Sequence, residues 1–206
     1  MSDLIDPATR QVASGGGPVT SPIVRIGIVA AVLTGVLTTV HDVLDARSPG
    51  IDQGFGWSLV HFGWLTTMTL AMLGLTVLQW PALDRFGRIA TRFAVAACGV
   101  MAGFAAIETV SLYGRTVLPA DDPALPVLVA ILAVFACYVI GIVLFAVATL
   151  RAGLLPRAAA VLLLVAVPVK MFFGDGFGPL ALLGLAFAVL GITAAVRARR
   201  PQPTRV

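Results

Sequence analysis

The stretch from Leu125 to Leu150 reads LPVLVAILAVFACYVIGIVLFAVATL and contains no charged residue. As a helix rising 1.5 Å per residue it reaches about 39 Å, more than the roughly 30 Å of a bilayer's hydrocarbon core. Its apolar residues do not alternate with polar ones, so it is not a barrel strand, and lipid leaves no other backbone able to satisfy its own hydrogen bonds. The stretch is therefore predicted to be a membrane-spanning helix. Similar runs recur on both sides of it, at about 23–44, 57–79, 89–112, 158–173 and 177–196. The expected fold class is all-α, a polytopic membrane protein built as a bundle of six transmembrane helices. The run 158–173 is the shortest and must stand nearly upright or be flanked by interfacial residues.

The composition agrees. Of 206 residues, 59% are hydrophobic and only 12% charged, with mean hydropathy +0.99. Soluble domains carry about 25% charged residues. A soluble enzyme, a disulfide-stapled secreted domain and a disordered chain are excluded on that ground. The pI near 9.8 does not point to nucleic acid, because the arginines sit at the ends of the apolar runs, where membrane topology accounts for them. The expected partners are the lipid bilayer and a small-molecule or lipid ligand, with no nucleic acid.

Charge sets the expected orientation. With the N-terminus in the cytoplasm, eleven of the fourteen basic residues fall on the inner side with three acids, and the other three face seven acids outside. The inner side carries +8 and the outer −4, as the positive-inside rule requires. Residues 1–22, with Gly15-Gly16-Gly17-Pro18, read as a flexible cytoplasmic tail rather than a signal peptide. Residues 197–206 read as a basic cytoplasmic tail. The expected location is the inner (cytoplasmic) membrane of a cell, with both termini cytoplasmic.

Polar residues gather in one layer. His41, His61, Glu108 and Lys170 each lie three or four residues from the outer end of their segments, roughly 5–6 Å below the interface. The inner half holds no comparable ionisable group. Such residues at membrane depth are costly and face a bundle interior or a wet cavity. Thr34, Thr38, His41, Asp42 and Asp45 form one stripe at helical spacing, and Trp57, His61 and Trp64 form another. A polar pocket opening outward is expected, with Asp42, Glu108, His41 and His61 as a hypothetical acid–base set. Asp45, Trp57, Trp64, Tyr113 and Lys170 would contact the ligand, with Phe104, Phe172 and Phe173 among its walls. The plainer reading is that these residues snorkel, anchor the interface, or pair Glu108 with Lys170 only to fix packing.

Four functions fit this layer. The first is binding or handling a small molecule or lipid. The second is a membrane-embedded acid–base enzyme acting on an isoprenoid or lipid, since a carboxyl group in an apolar site can serve as a general acid. The third is a haem or metal site on His41 and His61. The fourth is an accessory or assembly subunit whose polar layer holds its helices together. The first is favoured and the second is the runner-up; no cofactor is specified.

Cys98 and Cys137 lack metal-type spacing and are read as small apolar fillers. Gly99 and Gly103 form a GxxxG, and Gly184 and Gly191 lie two turns apart. Both suit close helix packing, within this chain foremost, or in a homo-oligomer or larger membrane complex. His61-Phe62-Gly63-Trp64 running on to Leu78, and Leu150-Arg151-Ala152-Gly153-Leu154-Leu155-Pro156-Arg157, resemble small multi-pass membrane proteins of actinobacterial type, a group without an assigned activity. The resemblance covers most of the second to fifth helices. It implies a bacterial cytoplasmic membrane and carries over no functional residue.

Overall fold

The computed structural model describes residues 21–47, 55–114, 125–173 and 179–199. Among them are six α-helices: α1 (Pro22–Arg47), α2 (Phe55–Gln79), α3 (Arg85–Gly114), α4 (Leu125–Ala152), α5 (Arg157–Phe173) and α6 (Pro179–Arg199). A short 3-10 turn, Trp80–Ala82, follows α2. No strand occurs among the described residues, and the chain is an all-α polytopic bundle. Five helices are long and apolar enough to cross a membrane. The sixth, α5, has 17 residues and reaches about 25 Å. The expected six spans thus become five full-length helices and one short one. Most of the N-terminal tail and of the C-terminal tail lies outside the described residues.

Local chemistry sets the helix ends. Pro22 opens α1, where its missing N–H costs nothing, and the Ser21 carbonyl accepts from the Val24 and Arg25 amides at 3.1 and 3.2 Å. Asp84 caps α3, its Oδ1 accepting from the Gly87 N–H at 2.7 Å. Gly153, with φ 66°, ends α4 in the left-handed conformation that glycine adopts without strain.

Each helix packs on its neighbours in sequence, and α1 also packs on α6, so the six close into a ring. Short connections make consecutive neighbours antiparallel. The start of α1, the α2–α3 and α4–α5 turns and the end of α6 consequently lie at one end. Phe145 of α4 and Phe187 of α6, both fully buried, stack across the middle with ring centroids 6.2 Å apart.

Close approach depends on glycine. A Cβ on Gly27 of α1 would lie 2.5 Å from the Gly74 Cα of α2, and one on Gly35 would lie 3.0 Å from the Gly184 carbonyl oxygen of α6. Gly184 and Gly191 therefore serve packing within the chain, both against α1. The Gly99–Gly103 pair does not. Among the described residues a Cβ on Gly103 would meet nothing within 4 Å, and one on Gly99 only the Thr69 Cγ2 at 3.8 Å. Cys98 is buried and donates to the Met72 Sδ at 3.5 Å, whereas Cys137 is exposed and fills nothing.

Candidate functional site: the paired histidines of α1 and α2

His41 lies six residues before the end of α1, and His61 six residues after the start of α2. Antiparallel packing therefore brings them to the same depth, about 9 Å from the helix ends. Their rings meet edge to edge, with His41 Nε2 and His61 Nδ1 3.1 Å apart. One of these two nitrogens must carry the hydrogen and the other accept it.

Asp45, one turn beyond His41, completes the line. Its Oδ2 lies 3.2 Å from His41 Nδ1, an electrostatic contact rather than an aligned hydrogen bond. Its Oδ1 accepts a 2.6 Å hydrogen bond from Trp57 Nε1. Trp57 stacks on His61 at 4.8 Å and 24° and lies 4.9 Å from His41. Trp64 stands nearly edge-on to both imidazoles, at 6.0 and 5.5 Å. Two histidines, two tryptophans and one carboxylate thus form a packed nest in which His41 is 3% exposed. Trp64 is buried, and its Nε1–H has no hydrogen-bond partner among the described residues.

Four residues of the predicted stripe on α1 are buried and Asp45 is half-buried, but the stripe divides between two neighbours. Thr34 and Thr38 return their hydroxyls to α1 carbonyls at 2.8 Å, and Thr34 also reaches the Thr67 hydroxyl of α2 at 3.1 Å. Asp42, 2% exposed, uses Oδ2 to accept from the Ala181 N–H of α6 at 2.8 Å. That amide lies in the first turn of α6, where N–H groups lack helical partners and a negative charge is favoured. Asp42 thus caps a neighbouring helix, a role unlike the acid expected of it.

Glu108 is placed apart. On α3 it is exposed beside Ile107 and Val110, while Ala105 and Thr109 face inward. Among the described residues it makes no hydrogen bond or ion pair. Among the described residues it packs on neither histidine. Packing around α3 involves chiefly α2 and α4, whereas α5 lies against α4 and α6. Glu108 and Lys170 are therefore on helices that are not neighbours. The side chains of Tyr113, Lys170, Phe172 and Phe173 lie outside the described residues, and Phe104 is 37% exposed on α3.

The histidine geometry also bears on metal binding. At 3.1 Å the facing nitrogens bond to each other. Among the described residues no group of three or more His, Cys, Asp or Glu is arranged to hold a metal ion.

Sequence reasoning missed a polar group at the opposite end of the bundle from the histidines. Gln79, fully buried at the end of α2, donates to the Leu75 carbonyl at 3.2 Å and the Thr149 hydroxyl of α4 at 3.4 Å. Its Oε1 and the nearby Thr76 hydroxyl have no partner among the described residues. The signal available was Thr76, Gln79 and Thr149 inside otherwise apolar runs, but none carries a charge. Comparison with family models, curated proteins and solved structures yields no match.

Proposed function

We propose that this is a bacterial cell-membrane protein, both termini cytoplasmic, that binds or handles a small molecule or lipid at its outer end. The observation that carries the reading is the Asp45–His41–His61 line, with its 3.2 and 3.1 Å contacts, set among Trp57 and Trp64. Ionisable groups at membrane depth are retained at a cost in stability, so a group of three argues for use. The orientation is supported by Arg25, Arg85, Arg88, Arg92, Arg151 and Arg157, which gather at the opposite end of the bundle.

The nest offers a ligand polar and aromatic groups together. A hydrogen between the two rings can lie on either nitrogen, so the pair answers either a donor or an acceptor brought by the ligand. That same line favours a second reading, acid–base catalysis on an apolar substrate. The Asp45 charge favours the His41 tautomer with its hydrogen on Nδ1, His41 Nε2 then accepts from His61 Nδ1, and His61 becomes the proton-exchanging end. Under this reading Asp45 replaces Asp42 and Glu108 as the carboxylate that matters.

Native mass spectrometry of the detergent-purified protein tests the proposal, with identification of released molecules. Wild type should retain a defined species that His41→Ala and Asp45→Asn lose while remaining helical by circular dichroism. An unchanged set of bound molecules in both helical variants would refute the proposed site. Conversion of the released species during incubation, by wild type alone, would select the enzymatic reading.

A further inference from the structure

The arginine-rich end holds a second, independent arrangement. Arg88 and Arg92 of α3 both lie over the Trp80 ring, their guanidinium carbons 5.2 and 5.0 Å from its centroid. Both are exposed. The acid beside them, Asp84, is occupied on both oxygens: Oδ2 accepts from Arg151 Nη2 at 2.8 Å and Oδ1 from the Gly87 N–H at 2.7 Å. Among the described residues neither Arg88 nor Arg92 has a carboxylate within 4.0 Å.

Arg92 also falls three residues inside the run 89–112, an ionisable group in the inner half that the sequence reading passed over. It lies seven residues into α3, about 10 Å from the helix start, flanked by Ile89 and Phe93 at 59% and 39% exposure. The aliphatic stem can lie along this apolar flank while the charged head returns to the headgroup level, where the Trp80 ring fixes it. Two guanidiniums held on one indole, with no carboxylate partner among the described residues, present the donors that a phosphate takes.

Directly along the same face of α3 from Arg92 come Ala96, Gly99 and Gly103, at i+4, i+7 and i+11. This is the lane left by the unused GxxxG: no described residue comes within 4 Å of a Cβ on Gly103, and Gly99 is bounded by the Thr69 methyl of α2. Its shape suits a chain without side branches.

We propose that Arg88, Arg92 and Trp80 bind the phosphate of an anionic phospholipid, one of whose acyl chains lies along the Ala96–Gly99–Gly103 lane. A headgroup of net negative charge matches two cations that no described carboxylate pairs with. A zwitterionic headgroup would bring its own ammonium to the same two arginines. The site is separate from the histidine nest and independent of what that nest binds.

The test reconstitutes the full chain in bilayer discs containing equal phosphatidylglycerol and phosphatidylcholine, and measures the lipids retained on release by native mass spectrometry. Wild type should be enriched in phosphatidylglycerol. Arg88→Gln/Arg92→Gln should lower that enrichment on the order of thirtyfold, at about fivefold per basic group. Gly103→Leu fills the lane without changing charge and should also lower retention. Arg157→Gln, at the same end but off the site, should leave it unchanged. A loss of about fivefold in Arg157→Gln, the same per charge as in the double variant, would overturn the proposal in favour of diffuse attraction. Full retention in Gly103→Leu would overturn the acyl lane. A change from dimer to monomer in Gly103→Leu, with lipid retention intact, would assign the lane to a second copy of this chain.

Discussion

Replacing Asp42 with alanine should loosen the start of α6 before it disturbs anything else. In the folded protein Asp42 is 2% exposed and accepts the Ala181 N–H at 2.8 Å across the α1–α6 interface. Truncation leaves that amide without its acceptor at a depth where water is scarce, and removes a negative charge from the positive end of a helix. A charged hydrogen bond is worth about 1.5–3 kcal/mol, and a partly buried charge at a helix terminus up to about 2 kcal/mol. The two overlap, since the hydrogen bond is itself the charge–dipole contact, so Asp42→Ala should cost about 2–3 kcal/mol. Asp42→Asn keeps an acceptor and loses the charge, and should cost roughly half as much. Reversible unfolding in detergent micelles gives the two values. Amide exchange locates them: the first turn of α6 should exchange faster in Asp42→Ala while the inner half of α6 keeps its protection. Equal costs for the two variants would refute the helix-capping account. So would unchanged exchange at Ala181.

Two further outcomes follow from packing. Gly27→Ala forces a methyl to within 2.5 Å of the Gly74 Cα and should destabilise by about 1–3 kcal/mol, whereas Gly103→Ala enters open space and should be neutral in the same unfolding assay; a neutral Gly27→Ala would disprove the α1–α2 crossing. Phe145→Ala removes a fully buried ring stacked on Phe187. Because lipid solvates apolar groups as well as the bundle interior does, only packing is lost, and the cost should be about 2 kcal/mol rather than the roughly 3–5 kcal/mol of soluble cores; a loss in the soluble range would contradict that reasoning.

The candidate site was legible in part, for reasons that differ by residue. The equal depth of His41 and His61 is a matter of counting from helix ends, and antiparallel neighbours at equal depth meet. The partition of the α1 stripe is harder. His41 and Asp42 are adjacent in sequence and so point about 100° apart on a helix. They serve different neighbours, α2 for one and α6 for the other, and a stripe of polar residues does not say which neighbour stands on each side. Glu108 was ambiguous for a related reason: apart from Thr109 and Ser111 its neighbours on α3 are apolar, so the pattern did not separate an inward from an outward carboxylate.

From the sequence by itself came the membrane class, the six apolar helices and the asymmetric charge, all of which depend only on length and composition against a bilayer of known thickness. Which glycines pack, which carboxylate caps and which faces outward were decided only by the tertiary structure. In water, a helix announces its buried side by being apolar there. In lipid, both the bundle interior and its surroundings are apolar, so rotation about the helix axis leaves no such mark. Gly99–Gly103 and Gly184–Gly191 read alike in the sequence, and only the assembled ring put α1 against one pair and open space beside the other.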